Sequence, residues 1–330
     1  MLNYIIHRLL VMVPVLFLIS IATFIIIQLP PGDYLTTYIA NLQMIGEDVS
    51  LQTIAQLREQ YGLDQPLYVQ YLMWVGGMLH GDFGNSFVYN KPVSSLIWER
   101  IGLTMAIAIG SMLLTWVIAI PIGIYSAVRQ YGTFDYAITF LGFIGMATPG
   151  FLFALVLMFL ANRYFGISIG GLFSDQYAAA PWSWGKVGDL LLHLWVPVLV
   201  LAVASTGGMV RILRANLLDQ LEMPYVATAR AKGLSEWRLL LRYPVRIAIN
   251  PIISGVGSIL PALISGSVII SIVMNLPTTG PLLLSSLMDQ DMYLAGSFLM
   301  ILAVLSMLGT LLSDLLLAWI DPRIRFEGKS

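Results

Sequence analysis

Six long apolar runs set the limits on what this chain can fold into. They lie at roughly 9–29, 102–128, 135–162, 191–213, 246–275 and 293–320. Each has the length that a helix needs to cross a bilayer core, about 20 residues at 1.5 Å per residue. Lipid offers no partner to a backbone amide or carbonyl, so each run must satisfy its own hydrogen bonds as a helix. The fold class expected is therefore an all-α integral membrane protein with six transmembrane helices. Composition agrees. Hydrophobic residues make up 58% and charged residues 11%, where a soluble domain carries roughly 25% charged. A net charge of -1 leaves no basic field for nucleic acid. The absence of cysteine excludes a disulfide framework and thiolate chemistry. The first run, after His7 and Arg8, is longer than a signal-peptide core and lacks a small-residue cleavage site, so it is expected to be a retained span. Pro14, Pro121, Pro149, Pro197 and Pro261 fall inside the runs and are read as tolerated kinks.

Basic residues set the orientation. With the N-terminus inside, twelve Lys and Arg face the cytoplasm and five face outward. The inner set includes Arg8, Arg129, Arg211, Arg214, Arg230, Lys232, Arg238, Arg242 and Arg246, with Arg323, Arg325 and Lys329 in the tail. The outer set is Arg58, Lys91, Arg100, Arg163 and Lys186. Both termini are thus expected in the cytoplasm of a multi-pass plasma-membrane protein of a prokaryote, in the inner membrane if Gram-negative. The chain divides into a first transmembrane helix (1–29), an extracytoplasmic insertion (30–100) and a five-helix core (101–330).

Two connecting segments carry their own signals. In the insertion, Ser50 can cap a helix on which Ile54, Leu57 and Tyr61 share a face, with Gln52, Gln56 and Glu59 elsewhere and Gly62 at its end. A second apolar stretch, 68–78, stops near Gly81. Together they predict a small ordered helical cap. On the cytoplasmic side, the segment 219–243 predicts two short helices. Pro224 suits a first helical position, the alanines after it favour helix, and Gly233 suits the stop. Ser235 can then cap the next helix towards Arg242. Small side chains on the first helix would let another surface approach closely.

The run Tyr225-Val226-Ala227-Thr228-Ala229-Arg230-Ala231-Lys232-Gly233-Leu234-Ser235 resembles the coupling loop of binding-protein-dependent ABC importers, and more narrowly of the dipeptide/oligopeptide-type permease subunits. Tyr61-Gly62-Leu63-Asp64-Gln65-Pro66-Leu67, Gln70-Tyr71, Gly81-Asp82-Phe83-Gly84-Asn85-Ser86, Asp314-Leu315-Leu316 and Asp321-Pro322-Arg323-Ile324-Arg325 are similar to the same family in the same order. One departure is that the family's Glu-Ala-Ala reads Ala227-Thr228-Ala229 here. The resemblance implies a type I ABC importer permease architecture and half of a translocation pore. It further implies a homologous second permease, two cytoplasmic ATPases docked on residues 225 and 227–235, and an extracytoplasmic solute-binding protein. ATP and Mg would be used by those ATPases, and this chain would have no enzymatic activity. Peptides are the implied cargo, and related permeases carry oligosaccharides, nickel chelates and opines.

Other features admit two readings. Span five is small-sided, with Gly255, Gly257 and Gly266 beside Ser254, Ser258, Ser265 and Ser267. Close helix packing and pore lining both account for it. Asp314 lies in the sixth span, where a carboxylate costs about 2.5–3.5 kcal/mol on insertion scales. It is either an interhelical partner or a proton or substrate site. Gly166-Ile167-Ser168-Ile169-Gly170 matches a nucleophile elbow in letters, with Asp175, Asp189 and His193 following. It lacks the strand–turn–helix setting, so a Gly-rich exit turn is the better account. His7, His80 and His193 have no metal-ligand spacing. No nucleotide loop is present, and the terminal Gly328-Lys329-Ser330 lacks its first glycine and its helix. Two rivals remain. An ion-coupled secondary transporter would need carboxylates near the midplane. An intramembrane hydrolase would rest on Ser168.

Overall fold

The computed structural model describes residues 2–29, 64–166 and 169–320, with residues 35, 36, 39, 56, 58, 59 and 62 between the first two stretches. The side chains of residues 2–5, 165, 258–266, 318 and 320 lie outside that description. The expected cap at Ser50 and the face of Ile54, Leu57 and Tyr61 also lie outside it. So do Ser168 and the tail from Asp321 onward. Gly62, at φ +64, is described, and its amide donates to the Glu59 carbonyl at 3.1 Å.

Among the described residues, four helices are long and apolar enough to cross a membrane: Ile6–Gln28, Val93–Val128, Trp184–Leu221 and Met292–Leu317. Two of them overrun the apolar runs. Val93–Val128 has 36 residues and Trp184–Leu221 has 38. At 1.5 Å per residue these reach about 54 and 57 Å, against a hydrocarbon core of about 30 Å. Pro14, Pro121 and Pro197 sit inside continuous helices.

Pro149 behaves differently, and here the reading of a simple kink is corrected. The run 135–162 is two helices, Thr133–Ala147 and Gly150–Phe165, bent by 97°. Proline disfavours helical geometry in the residue before it. Thr148 is accordingly extended at φ -81, ψ 120, and Pro149 follows at φ -57, ψ 129. The Thr148 hydroxyl and amide both donate to the Ile144 carbonyl, closing the first helix. Counted as one span, this pair makes a fifth. The run 246–275 is also divided, into Pro244–Ala248, Asn250–Ser254 and Val256–Val273.

Two compact units emerge. The first holds residues 1–103 and 278–307. In it the helix Leu67–Leu79 lies against the first helix. Phe24, Ile27, Trp74, Phe87, Met292 and Ala295 form its buried cluster. Phe24 and Tyr71 meet edge to face at 5.4 Å, and the Tyr71 hydroxyl lies 2.8 Å from Ser20 Oγ. The apolar stretch expected at 68–78 is thus a helix with its tryptophan inward.

The second unit holds residues 104–277 and 308–330. Thr133–Ala147 packs along Trp184–Leu221. They come close where Gly142 meets Gly207, since a Cβ on Gly207 would stand 2.6 Å from the Gly142 carbonyl oxygen. Small residues permit such approach between helices in lipid. Below this contact, Ile124, Leu213, Leu217, Leu240, Val245 and Ile252 are buried together. That cluster ties the short helices after residue 235 to the long ones.

Candidate functional site

The segment expected at 219–243 has its two-helix form, except that residues 219–221 belong to the end of Trp184–Leu221. Pro224–Ala231 opens with proline at its first turn, and Glu236–Arg242 follows. Proline is suited to that place because its missing amide would be unpaired there anyway. The stop at Gly233 is a Schellman motif. The Gly233 amide donates to the Arg230 carbonyl and the Leu234 amide to the Ala229 carbonyl, with Gly233 at φ +79. Leu234 and Tyr225 pack on Val226, Ala229 and Leu239, a small core private to the segment. Arg230 and Glu236 bridge the corner with two hydrogen bonds of 2.7 and 3.1 Å. The Arg230 guanidinium holds the Glu236 carboxyl below its usual range. Ser235 occupies the cap position of the second helix but makes no side-chain cap bond.

The ten residues singled out at 225 and 227–235 thus divide. Ala229 is buried, and Tyr225 and Leu234 are half-buried. Ala227, Thr228, Arg230, Ala231, Lys232, Gly233 and Ser235 are exposed. Trp237 and Leu241 add exposed apolar surface on the second helix. The Tyr225 hydroxyl donates to Gln220 Oε1 at 2.8 Å, pinning the segment to the end of Trp184–Leu221. The result is a braced corner with a shallow outer face.

Arg214, two turns back along Trp184–Leu221, makes a two-pronged ion pair. Its Nε and Nη2 donate to the two carboxylate oxygens of buried Asp135, each at 2.8 Å. Ser126 Oγ and the Tyr131 amide also donate to Asp135. A carboxylate with four donors is well satisfied in a low-dielectric setting. The turn 129–132 is thereby fastened to the helix that leads into the corner. Sequence reasoning missed this pair. The only signal was an acidic residue in the first turn of a helix.

The serines of span five give less. Ser254 is exposed and its hydroxyl donates to the Asn250 carbonyl. Ser267 is half-buried, while the side chains of Ser258 and Ser265 lie outside the described residues. A Cβ on Gly257 would stand 2.6 Å from Thr310 Cα, so at that position close packing accounts for the small residue. Asp314 is half-buried in the last helix. Gly166, at φ +64, is the C-cap of Gly150–Phe165, as an exit turn requires. Asp189 is occupied by the Ser174 amide and hydroxyl at 2.8 and 2.5 Å. Between them the loop 169–183 is ordered around buried Lys186, which donates to the Ala180 carbonyl at 2.6 Å and lies over Phe173 and Trp182.

A second site stands in the first unit. The motif 81–86 bends sharply, with Gly81 at φ +80 and Gly84 at φ +73. Asp82 Oδ1 accepts the Gly84 amide at 2.9 Å. Ser86 donates to Asp291 Oδ2 at 2.5 Å, and the Val88 and Leu294 amides donate to the same carboxylate at 3.3 and 3.1 Å. Burial outweighs these donors and pushes the Asp291 carboxyl above its ordinary range. The turn so anchored encloses a cavity of about 530 Å³ with Trp74 and Tyr293.

Residues 1–108 match the model described as the N-terminal part of a binding-protein-dependent transport system membrane component. Residues 119–326 match the model of the binding-protein-dependent transport system inner membrane component. Among similar proteins, an oligopeptide transport system permease protein of Bacillus subtilis is 38% identical over 98% of this chain and 99% of its own length. A putative peptide permease protein of Brucella suis is 34% identical over 98% and 99%. A peptidoglycan transport system permease protein of Agrobacterium fabrum is 30% identical over 99% of each chain.

Proposed function

The chain belongs to the family of binding-protein-dependent transport system inner membrane components, and from that membership we propose that it forms half of a pore importing peptides. The permease role is the family's own. The cargo is inferred from relatives whose names specify oligopeptide or peptide transport and which align end to end with this chain. In this reading six helical passages cross the bilayer. They are the four long helices, the bent pair around Pro149, and Val256–Val273. Residues 30–100 form an extracytoplasmic insertion, and both termini are cytoplasmic. A homologous permease completes the pore, two ATPases carry ATP and Mg, and a binding protein delivers the peptide outside.

The observation that carries the coupling role is the braced corner at Gly233. A contact that transmits force must keep its shape under load. The Schellman stop, the Arg230–Glu236 pair and the core of Val226, Ala229 and Leu239 give it that stiffness. Ala227, Thr228 and Ala231 give it a face that another protein can approach closely. Asp135 and Arg214 then pass displacement to the neighbouring turn. Reconstituted vesicles containing both permeases, the ATPase and the binding protein test this. Wild-type vesicles should take up peptide only with ATP. Gly233→Val should lose most of that uptake while the ATPase still co-purifies. Uptake driven by an ion gradient without ATP would favour a secondary transporter. Labelling of a cysteine placed at 232 only from outside the cell would overturn the orientation.

A further inference from the structure

The motif 81–86 takes no part in the coupling described above, yet it lines a cavity of the first unit. Trp74 and Phe87 form buried walls, Tyr293 closes one side, and Asp82, Asn85 and Asn90 stand exposed at the mouth. Its volume of about 530 Å³ falls in the range of small-molecule sites, roughly 300–1,000 Å³.

The polar groups are unusual in what they lack. Trp74 is 2% exposed, and its Nε1 has no hydrogen-bond partner among the described residues. An indole N–H buried in this way normally finds an acceptor. Asp82 spends one oxygen on the Gly84 amide and makes no ion pair among the described residues. The side-chain carboxamides of Asn85 and Asn90 donate and accept nothing there either. The backbone beneath them is held firmly by Asp291, so these groups stand on a fixed frame.

A cargo of varied sequence offers only two constant features, its backbone amides and its charged ends. The cavity presents a carboxylate and two carboxamides, with aromatic faces around them. A carboxylate matches an ammonium. Carboxamides can pair with a peptide group, and aromatic faces also favour a cation.

We propose that this cavity holds the free amino end of a peptide, with Asp82 as its counter-ion and Asn85 and Asn90 bonding its first amides. The proposal rests on the reading of the chain as a peptide permease. It specifies the end of the cargo that the permease itself recognises, apart from any choice made by the binding protein.

The test is saturation-transfer NMR on the full chain in nanodiscs, without binding protein. The probes are trialanine and N-acetyl-trialanine. Trialanine should give clear transfer and the acetylated peptide should bind about tenfold more weakly, the loss expected for one charge-assisted hydrogen bond. Asp82→Asn should weaken trialanine to the level of the acetylated probe and leave that probe unchanged. Equal transfer from both probes on the unaltered chain would overturn the proposal, and that comparison needs no variant to fold. So would full trialanine binding by Asp82→Asn. If either occurs while vesicles still import trialanine with ATP, the site falls and the importer reading stands.

Discussion

Gly84 and Gly233 share a left-handed backbone, at φ +73 and φ +79, but stand in opposite surroundings. A Cβ on Gly84 would lie 2.5 Å from the Tyr293 ring. A Cβ on Gly233 would meet nothing within 4 Å. The first glycine is required twice, by conformation and by packing. The second is required by conformation alone, and the space beside it is open. The anchors differ in the same sense. The turn 81–88 hangs on buried Asp291, whereas the corner at 233 is braced by Arg230 and Glu236, both more than half exposed. One loop is built to hold a cavity wall in place. The other keeps its own shape and leaves its outer face free.

Substitutions can break this contrast or sharpen it. Gly84→Val should have the largest effect, about 4 kcal/mol, from left-handed strain and overpacking together. Thermal unfolding of the purified chain reads it, and a loss below that of Gly233→Ala would sink the contrast. Asp291→Ala should come next, at about 3 kcal/mol, because three donors, two of them buried, lose their acceptor. Gly233→Ala should cost only about 1 kcal/mol, the strain of the left-handed backbone. Glu236→Gln should leave the unfolding midpoint unchanged near neutral pH, since exposed pairs contribute little.

The two carboxyls also oppose each other in pH dependence. Burial raises Asp291 in the folded protein. Its contribution is therefore greatest below the unfolded value of about 3.9 and is lost as pH rises towards the raised folded value. Asp291→Asn should remove that slope. Glu236 is lowered by Arg230, so its smaller contribution is present at neutral pH and is lost as acid protonates it. Across pH 4–8 the unfolding midpoint of Asp291→Asn should diverge from wild type, while that of Glu236→Gln should track it, its small difference confined to pH below about 4, the unperturbed carboxylate value.

Much of this was legible in the residues, and what was not has a physical cause. Pro224 and Gly233 bounded the first short helix correctly because each acts through its own backbone. The helix at 67–79 was legible from its apolar stretch. The 97° bend at Pro149 was not, because hydropathy is blind to direction. Pro14, Pro121 and Pro197 carry the same local chemistry in continuous helices, so the bend depends on what packs around it. Asp135 with Arg214 and Ser86 with Asp291 were also hidden. Each joins residues far apart in the chain, and nothing near either partner announces the other. Ser235 shows the reverse error, a good cap residue in the cap position whose hydroxyl does not cap.

Trp184–Leu221 runs without interruption for 38 residues and ends three positions before Pro224. A rod of about 57 Å magnifies small rotations. Pivoted near one end, a swing of about 5° would carry the other end about 5 Å, close to one helical pitch. On the coupling role proposed for the corner after Pro224, motion entering there has a mechanical route to the other end of the helix that requires no intervening joint, and Trp184, at 91% exposure on that end, is where its amplitude would be greatest.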